Sequence, residues 1–397
     1  MKSLASKKTV MTGNHAAAYA ARLCRPQVVA AYPITPQTSI IEKLSEFLAN
    51  GEANYRMIRV ESEQSAMAAC MGAALAGSRV YTATASQGLA LMHEIVIWAA
   101  GQRIPIVMSV VNRAFGPPWS IWSDQQDTMA ERDTGWMQIY TENNQEVLDS
   151  VIMAYKIAES HDILLPMMVI EDAFILSHTM EVVEVPPQEL VDEFLPPYDL
   201  PYKIDITQPK QYGTLTMPDQ YMEFRYKIAE AMERAKKKIV DVAKEFQEMF
   251  GRYHGDLLDL YRIDDADTVM ILMGAMSSTA KNAVDILREK GYKVGVVRIR
   301  SFRPFPAEML RDVTKDFEMI GVVDRSYTFG HGGPIFNEVR SALMGGKNRD
   351  VLVKNYITGI GGRDVSTQTM IDIFEDMLRV KKEGEVEKEI EWIDLLV

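Results

Sequence analysis

A proline-rich loop, Tyr32-Pro33-Ile34-Thr35-Pro36, follows the apolar run at residues 27–32 (QVVAAY), which predicts a short buried strand. The two prolines stiffen this strand-to-helix loop. In doubly wound α/β folds, ligands bind at the carboxyl ends of the strands, where such a loop lies. Thr35 could therefore offer its hydroxyl to a small anion. The alternative is that Thr38 or Ser39 simply caps the helix after the proline turn.

A second segment, residues 60–66 (VESEQSA), places carboxylates between a predicted strand and an Ala-rich helix. Acidic residues at a helix N-terminus usually interact with the helix dipole. A buried carboxylate in the same place could instead accept a hydrogen bond from a heterocycle nitrogen. The local pattern leaves both interpretations open.

A third segment, residues 112–124 (NRAFGPPWSIWSD), follows the most apolar predicted strand, residues 105–111 (PIVMSVV). Arg113 stands there beside a Gly-Pro-Pro turn and two tryptophans. This combination is typical of an anion site with an aromatic wall, because Arg binds a carboxylate through two parallel hydrogen bonds. The alternative is a structural ion pair between Arg113 and Asp124 or Asp127.

Other possible ligand-binding patterns are weak. The glycine-rich elements at 330–333 (GHGG) and 359–364 (GIGGRD) lack the dinucleotide fingerprint spacing, so we expect tight turns there and no NAD. The six histidines are scattered without a paired ligand spacing, which predicts no metal site. Cys24 and Cys70 are far apart and form no CxxC pair. We therefore predict two buried thiols and no iron–sulfur cluster on this chain.

The elements that must position these segments alternate between helix and strand. In the first part, helical patterns at 14–23, 38–49, 65–76 and 88–100 separate apolar strand patterns at 27–32, 55–60, 79–85, 105–111 and 164–171. Helices of this length between strands predict a parallel sheet covered on both faces. A second alternating unit begins near Ala266, with strands predicted at 267–273, 293–299, 319–324 and 351–357.

The middle of the chain differs from both units. Residues 185–218 are rich in Pro, Asp, Glu and Lys, which predicts a linker crossing the surface. A long helical pattern follows at 220–250, and its lysines 236–238 indicate a solvated face. The charged tail at 380–397 ends in EWIDLLV, which we interpret as a docking segment.

Length and charge narrow the class of protein. A chain of 397 residues is long enough for two or three domains. Its formal charge of −12 argues against nucleic acid as the main partner. The basic start has no apolar signal-peptide core, and no run of about 18 apolar residues occurs. We therefore predict a cytoplasmic protein that neither spans nor binds a membrane.

Together, the motifs resemble the alpha chains of the pyruvate and 2-oxoisovalerate ferredoxin oxidoreductases. The resemblance runs nearly end to end, and the motifs are specific in combination. The stretches that carry it are AAYPITPQTSIIEKLSEFLANGE, VESEQSAMAA, TATASQGLALMHE, PIVMSVVNRA, PWSIWSDQQDTMAERDTGWMQIYTENNQE, FILSHT, VDEFLPPY, RPFP and TGIGGRDV.

The resemblance implies an α/β architecture: a thiamine-diphosphate-binding fold of the pyrimidine type, with a doubly wound parallel sheet, plus a transketolase C-terminal-like domain. The implied boundaries are 1–184 for the pyrimidine-binding domain, 185–262 for a linker with the long helix, 263–378 for the second domain and 379–397 for the docking tail. The implied reaction is oxidative decarboxylation of a 2-oxoacid to acyl-CoA and carbon dioxide, with electrons passed to iron–sulfur clusters and ferredoxin.

The resemblance also assigns roles to residues. Glu63 resembles the glutamate that bonds the aminopyrimidine nitrogen of thiamine diphosphate and sets its tautomer. The implied cofactor contacts are Glu63, Pro33, Ile34 and Gln87. Thr35 and Arg113 resemble the residues that hold the substrate carboxylate and keto oxygen. The implied substrate contacts are Thr35, Arg113, Trp119 and Ile121.

The same resemblance implies that partner chains complete the enzyme. The chain has no GDG motif followed by a distal Asn for magnesium and pyrophosphate, so thiamine diphosphate is expected to be shared with a beta subunit that carries Mg²⁺. Iron–sulfur clusters are expected on partners that include a gamma subunit and a ferredoxin-like delta subunit. Ferredoxin is the expected acceptor and CoA the expected co-substrate.

Some positions depart from the family pattern. Gln64 stands where relatives often have His, and Trp119 where some pyruvate enzymes carry a smaller apolar residue. Thr35, in place of a second arginine, argues against a substrate with two carboxylates. Pyruvate, 2-oxoisovalerate and phenylglyoxylate all stay open as substrates. A non-catalytic scaffold subunit is the alternative function, although the joint presence of Glu63, Thr35 and Arg113 argues against it. A weaker option is a thiamine-dependent enzyme without electron transfer.

Overall fold

The computed structural model describes residues 6–346 and 350–396, which form two sheets and the helices that cover them. The strands are β1 (Lys7–Met11), β2 (Val28–Ala31), β3 (Arg56–Arg59), β4 (Val80–Thr84), β5 (Val107–Asn112), β6 (Met137–Tyr140), β7 (Met167–Asp172), β8 (Glu181–Val185), β9 (Leu258–Tyr261), β10 (Thr268–Leu272), β11 (Val294–Ile299), β12 (Ser301–Arg303), β13 (Met319–Asp324), β14 (Leu352–Ile357) and β15 (Ile390–Trp392). The helices are α1 (Gly13–Leu23), α2 (Thr38–Ala49), α3 (Glu63–Leu75), α4 (Ser86–Gly101), α5 (Gln126–Ala130), α6 (Asn144–Ala158), α7 (Gln188–Phe194), α8 (Pro218–Phe250), α9 (Met276–Glu289), α10 (Ala307–Val313), α11 (Pro334–Met344) and α12 (Thr367–Glu383).

The first sheet has seven strands in the order β12-β6-β7-β5-β4-β2-β3. All its pairs are parallel except that of β12 with β6. Every residue of β4, β5 and β7 is buried, as expected for inner strands of a parallel sheet that is covered on both faces. Helices α1, α2, α6 and α8 contribute to the hydrophobic core on one side, and α3 and α4 to that on the other.

The second sheet has six strands in the order β15-β14-β13-β10-β11-β9, and only β9 runs antiparallel to its neighbour. Helices α9 and α12 pack on one face through a separate core cluster. Two doubly wound parallel units therefore make up the chain, and the expected α/β fold class is confirmed.

Buried ion pairs join the two units. Glu146 at the start of α6 accepts hydrogen bonds from Arg298 Nη1 and Arg300 Nε, both at 2.7 Å. Burial opposes ionisation of Glu146, but the two guanidinium groups outweigh it and lower its pKa to about 2. Strand β12, from the second half of the chain, is the edge strand of the first sheet. The two halves thus share both a sheet and a buried charge cluster.

Several elements differ from the sequence predictions. Strands β1 and β8 form an unpredicted antiparallel ribbon, and the β6–α6 pair was not predicted either. The stretch at 185–218 is more than a surface linker, because α7 lies within it and Val191 and Phe194 are buried. The tail also differs, since residues 390–392 form β15 beside β14 of the same chain. Docking by the tail stays a prediction for its exposed end, Leu395 and Leu396.

Other expectations can be compared directly. Cys24 and Cys70 are both buried and not joined by a disulfide. Lys236, Lys237 and Lys238 pair with carboxylates on or near α8, as a solvated helix face predicts. None of the helices in the described ranges is long and apolar enough to cross a membrane. Across residues 6–346 and 350–396, no His, Cys, Asp and Glu side chains group in a metal-binding arrangement.

Candidate active site

The segments singled out in the sequence meet at the carboxyl ends of neighbouring strands. Strands β5, β4, β2 and β3 are consecutive neighbours in the first sheet. The proline-rich loop follows β2, Glu63 follows β3, Gln87 follows β4 and Arg113 follows β5. Because carboxyl ends of parallel strands share one edge, these four connections surround a common region.

Glu63 is the first residue of α3, and its side chain is buried, with 7% of the residue exposed. Ser62 caps the helix, since its hydroxyl accepts from Ser65 N at 3.2 Å. The carboxylate lies against α4 at Gly88: a Cβ added there would be 2.7 Å from Glu63 Oε1 and 2.6 Å from Thr84 Oγ1. A larger residue at position 88 would occupy the space that the carboxylate needs.

Arg113 is the other charged group of this region, and it is 3% exposed. Its Nη1 donates to the carbonyl of Thr35 and its Nη2 to Oε1 of Gln87, both at 2.6 Å. Neither acceptor carries a charge. Burial lowers the pKa of Arg113, and only the more distant charges of Asp127 and Glu63 act in the other direction. The ion pair with Asp124 or Asp127, considered as an alternative, does not form through this guanidinium group.

The proline-rich loop places its predicted residues in different surroundings. Thr35 contributes its backbone carbonyl to Arg113, while its side chain is exposed and available to a ligand. Pro33 is exposed, and Ile34 is half-buried with its N–H donated to Oε1 of Gln37 at 3.3 Å. Helix α2 begins at Thr38 without a side-chain cap, so the capping alternative for this loop was wrong.

Gln87 connects the loops. Its Oε1 also accepts from the Ser86 hydroxyl at 2.6 Å, and its Nε2 donates to the carbonyl of Gly116 at 3.2 Å. The side chain therefore bridges Arg113 and the turn that leads to Trp119. Gln64, the departure from the family pattern, points to different neighbours, since its Nε2 lies 3.5 Å from Oε2 of Glu94.

The aromatic wall is partly as expected. The guanidinium carbon of Arg113 lies 5.6 Å from the ring centre of Trp119, which is 74% exposed. Ile121 is also exposed, but no described contact joins it to Arg113. The second unit contacts the segment at 112–124, because Gly362 N donates to the carbonyl of Ser123 at 2.8 Å. The glycine-rich turn at 359–362 thus supports the candidate site, a role that the sequence did not suggest.

Asp127 is a member of the site that the sequence suggested only as an ion-pair partner. It is fully buried and accepts from the backbone N–H groups of Ser86 at 2.9 Å and Arg113 at 3.0 Å. Burial raises its pKa to about 7, although these hydrogen bonds oppose the rise. Asp127 lies in α5, and only the packing of α5 against the start of α4 reveals its contact with Ser86, since residues 86 and 127 are far apart in sequence.

Glu171 carries another buried carboxyl, at the end of β7. Neither oxygen has a hydrogen-bond partner among the described residues. Burial, followed by the charge of Asp172, raises the pKa of Glu171 to about 8. Gly13 makes room for it, because a Cβ at that position would be 2.2 Å from Glu171 Oε2.

The arrangement fits an aminopyrimidine cofactor and an anionic substrate. Glu63 offers a buried carboxylate, and the buried Thr84 hydroxyl beside it has no hydrogen-bond partner among the described residues. A carboxylate in such surroundings can accept a hydrogen bond from a ring nitrogen. The buried Nε–H of Arg113 also has no partner within the described part of the chain. A ligand carboxylate would supply the charge that this guanidinium group lacks.

Comparisons with known proteins agree with this chemistry. Residues 19–244 match the family described as "Pyruvate flavodoxin/ferredoxin oxidoreductase, thiamine diP-bdg", and residues 266–370 match "Pyruvate:ferredoxin oxidoreductase core domain II". Ketoisovalerate oxidoreductase subunit VorA of Pyrococcus horikoshii is 56% identical over 389 residues, covering 98% of each chain. Pyruvate synthase subunit PorA of Pyrococcus furiosus is 49% identical, again over 98% of each chain.

Solved structures extend the comparison to the fold. A 2-oxoglutarate:ferredoxin oxidoreductase from Magnetococcus marinus superposes with a TM-score of 0.71 at 16% identity, covering 95% of this chain and 65% of that one. A split-gene transketolase superposes with a TM-score of 0.50 at 11% identity. Both support the expected thiamine-diphosphate fold. From the family matches and the full-length relatives, the chain belongs to the thiamine-diphosphate-dependent 2-oxoacid:ferredoxin oxidoreductases, as a subunit of the alpha type.

Proposed function

We propose that this chain supplies the pyrimidine-binding half of the active site and the substrate-carboxylate site, for a branched-chain 2-oxoacid of the 2-oxoisovalerate type. The observation that carries the proposal is the pair of buried, oppositely charged side chains, Glu63 and Arg113, neither of which forms a salt bridge within the described residues. The carboxylate of Glu63 can therefore accept a hydrogen bond from a ring nitrogen of a ligand, and the guanidinium group of Arg113 can bind an anionic group.

Thiamine diphosphate, when bound, supplies the carbanion chemistry of decarboxylation. On the cofactor side, Glu63 Oε1 or Oε2 would accept the hydrogen bond of a protonated pyrimidine nitrogen. Gly88 leaves the carboxylate the room to do so, and Pro33, Ile34 and Gln87 would form the adjoining wall. Burial excludes water that would compete for the carboxylate.

On the substrate side, Arg113 would bind the carboxylate of the 2-oxoacid. The carbonyl of Thr35 and the amide of Gln87 hold two of its nitrogens without neutralising it. The exposed hydroxyl of Thr35 would donate to the keto oxygen. Neutral anchors suit this task, because a fixed acidic partner would compete with the substrate.

The branched-chain preference has two supports. Trp119 presents exposed apolar surface beside Arg113, and Ile121, two residues further along the chain, is also exposed. These side chains would contact a branched substrate better than one that ends in a methyl group. The ketoisovalerate subunits of three Pyrococcus species are 54–56% identical to this chain. The pyruvate synthase subunits compared are 47–53% identical, so this second support is a small difference.

The face beside the site is suited to a partner chain. Helices α3 and α4 begin at the site and expose several apolar or small side chains on their outer surfaces, beside the exposed His93 and Glu94. We call this the α3–α4 face, formed by Ala68, Gly72, Leu91, Ile97 and Trp98. A beta subunit that carries Mg²⁺ and the pyrophosphate site would cover it. An exposed apolar surface of this kind is typical of a subunit contact.

The remaining components would reside on other chains of the complex. Gamma and ferredoxin-like delta subunits would hold the iron–sulfur clusters and pass electrons to ferredoxin, with CoA as acyl acceptor. Two unpaired thiols agree with a reducing compartment, and we place the complex in the cytoplasm.

Glu63→Gln in the reconstituted complex tests the proposal. We expect kcat/KM for 2-oxoisovalerate, followed by viologen reduction and carbon dioxide release, to fall by about 10² to 10⁴-fold. Glu61→Gln is the matched control, because Glu61 is exposed two residues away, and it should retain activity. Near-normal turnover of Glu63→Gln would refute the assignment. Absence of thiamine diphosphate from the purified complex would instead favour a scaffold subunit.

A further inference from the structure

Asp127 occupies a position that no role in the chemistry explains. It is fully buried, and the donors of its hydrogen bonds are three backbone N–H groups, those of Ser86, Arg113 and Thr128, and the side-chain amide of Asn112. None of these donors is charged. Burying a carboxylate without an opposite charge beside it costs stability, and these neutral donors offset that cost only in part.

The donors come from two elements that both serve the candidate site. Ser86 begins α4, and Arg113 and Asn112 mark the end of β5. Asp127 Oδ2 accepts from both Ser86 N and Arg113 N, so a single oxygen joins the two connections. The residues that follow, Gln87 and the Arg113 side chain itself, form the 2.6 Å contact that aims the guanidinium group.

The start of α4 needs such a partner. Its N-cap residue, Ala85, has no side chain that could accept from the first-turn N–H groups. Ser86 also has a positive φ of 48°, a conformation that non-glycine residues rarely adopt. The carboxylate of Asp127 replaces the missing cap and stabilises this strained backbone.

From this geometry we infer that Asp127 is a positioning residue for the substrate: it fixes the spacing between β5 and α4 and thereby holds Arg113 and Gln87 in the orientation that binds the 2-oxoacid carboxylate. This inference rests on the proposed role of Arg113. Because Asp127 is fully buried, its effect would reach the site through the backbone of Ser86 and Arg113.

The second unit contains a matched control. Asp324 is also fully buried and also accepts from the first backbone N–H groups of a helix without a side-chain cap, Ile335 N at 2.7 Å and Phe336 N at 3.2 Å. An asparagine amide, that of Asn355, donates to it as Asn112 donates to Asp127. Asp324→Asn therefore changes the same kind of buried cap, while the Asp324 carboxylate accepts no hydrogen bond from Ser86, Gln87 or Arg113.

The experiment compares Asp127→Asn and Asp324→Asn in the reconstituted complex. Asparagine has the shape of aspartate, but its NH₂ group cannot accept from the N–H donors. For Asp127→Asn we expect KM for 2-oxoisovalerate to rise about tenfold or more, with kcat and the thiamine diphosphate content little changed. Binding of an acylphosphonate, a 2-oxoacid mimic that is not decarboxylated, should weaken in parallel in calorimetry. Asp324→Asn should leave KM and this affinity unchanged.

Hydrogen exchange of the holo-complex gives a readout that does not depend on turnover. The peptide that covers residues 85–89 should exchange faster in Asp127→Asn than in the parent complex. If Asp127→Asn does not fold, Asn112→Ala replaces it, because this variant removes one donor and leaves the carboxylate in place. We expect a smaller rise in KM, in the same direction.

The outcomes separate the two claims. If Arg113→Lys leaves KM unchanged, the proposed function of Arg113 is wrong, and the inference about Asp127, which depends on it, is wrong as well. If Arg113→Lys raises KM but the Asp127 and Asn112 variants do not, only the positioning role is overturned. Equal effects of Asp127→Asn and Asp324→Asn on KM would also overturn it, because they would indicate a general loss of stability.

Discussion

Adding one methyl group at Gly88 should displace the carboxylate of Glu63. A Cβ at this position would be 2.7 Å from Glu63 Oε1 and 2.8 Å from its Cγ, whereas ordinary contacts begin at 3.4 Å. The glutamate must therefore retreat by about 0.7 Å. Displacements of roughly 1 Å at a reacting centre can cost about 10²-fold in rate. We expect Gly88→Ala to lower kcat/KM by about one to two orders of magnitude.

The assay is viologen reduction with 2-oxoisovalerate by the reconstituted complex, together with the thiamine diphosphate content of the purified sample. Gly101→Ala is the control, since Gly101 ends the same helix and a Cβ there meets nothing within 4 Å. Both substitutions raise the helix propensity of α4, so a change in activity that both variants share would come from the helix backbone and not from displacement of Glu63. Full activity of Gly88→Ala with bound cofactor would show that Glu63 does not depend on this space.

Three further predictions follow from exposed and buried side chains. Trp119→Ala should lower kcat/KM for 2-oxoisovalerate about tenfold relative to pyruvate, because it removes apolar contact with the branched chain; an equal loss for both substrates would contradict this. Leu91→Glu should abolish co-elution with the beta subunit in size-exclusion chromatography without lowering the Tm of the isolated chain. Val182→Glu, at another exposed apolar site on the β1–β8 ribbon, should leave co-elution intact. For Glu171, burial raises the pKa from 4.5 to about 8, so the folded chain keeps a proton that the unfolded chain has lost, and stability declines as the pH rises through that range. Glu171→Gln removes this decline. Between about pH 5 and pH 9, its free energy of unfolding should therefore rise by up to about 5 kcal/mol relative to that of the parent, as measured by thermal unfolding. A difference in stability that does not change with pH would indicate an ordinary pKa for Glu171.

The sequence predicted best what short-range patterns determine. Short runs rich in apolar residues predicted strands β4, β5 and β7, since a strand buried on both faces does not have to alternate apolar and polar residues. Helix α2 has the predicted bounds, because its apolar residues repeat at helical spacing. Motif resemblance then identified the family, which the comparisons confirm.

Contacts between distant residues could not be predicted in this way. The bonding of Arg113 to a carbonyl of the proline-rich loop and to Gln87 depends on the order of strands in the sheet, which periodicity does not give. The hydrogen bond from Ser86 N to Asp127 also joins residues far apart in sequence, 41 positions from one another. The short strand β15 carries too few residues for a recognisable pattern, and its pairing with β14 came from the tertiary fold.

The pairing of β12 with β6 has a consequence for how this protein folds while it is being synthesised. While residues 137–140 have already emerged, the strand that covers their outer edge has not yet been made. Until it arrives, β6 offers unpaired backbone groups, and Glu146 lacks the two arginines that neutralise it. We therefore expect the nascent N-terminal half to bind chaperones. It should dissociate from them once residues 298–303 have been synthesised and can pair with β6 and Glu146.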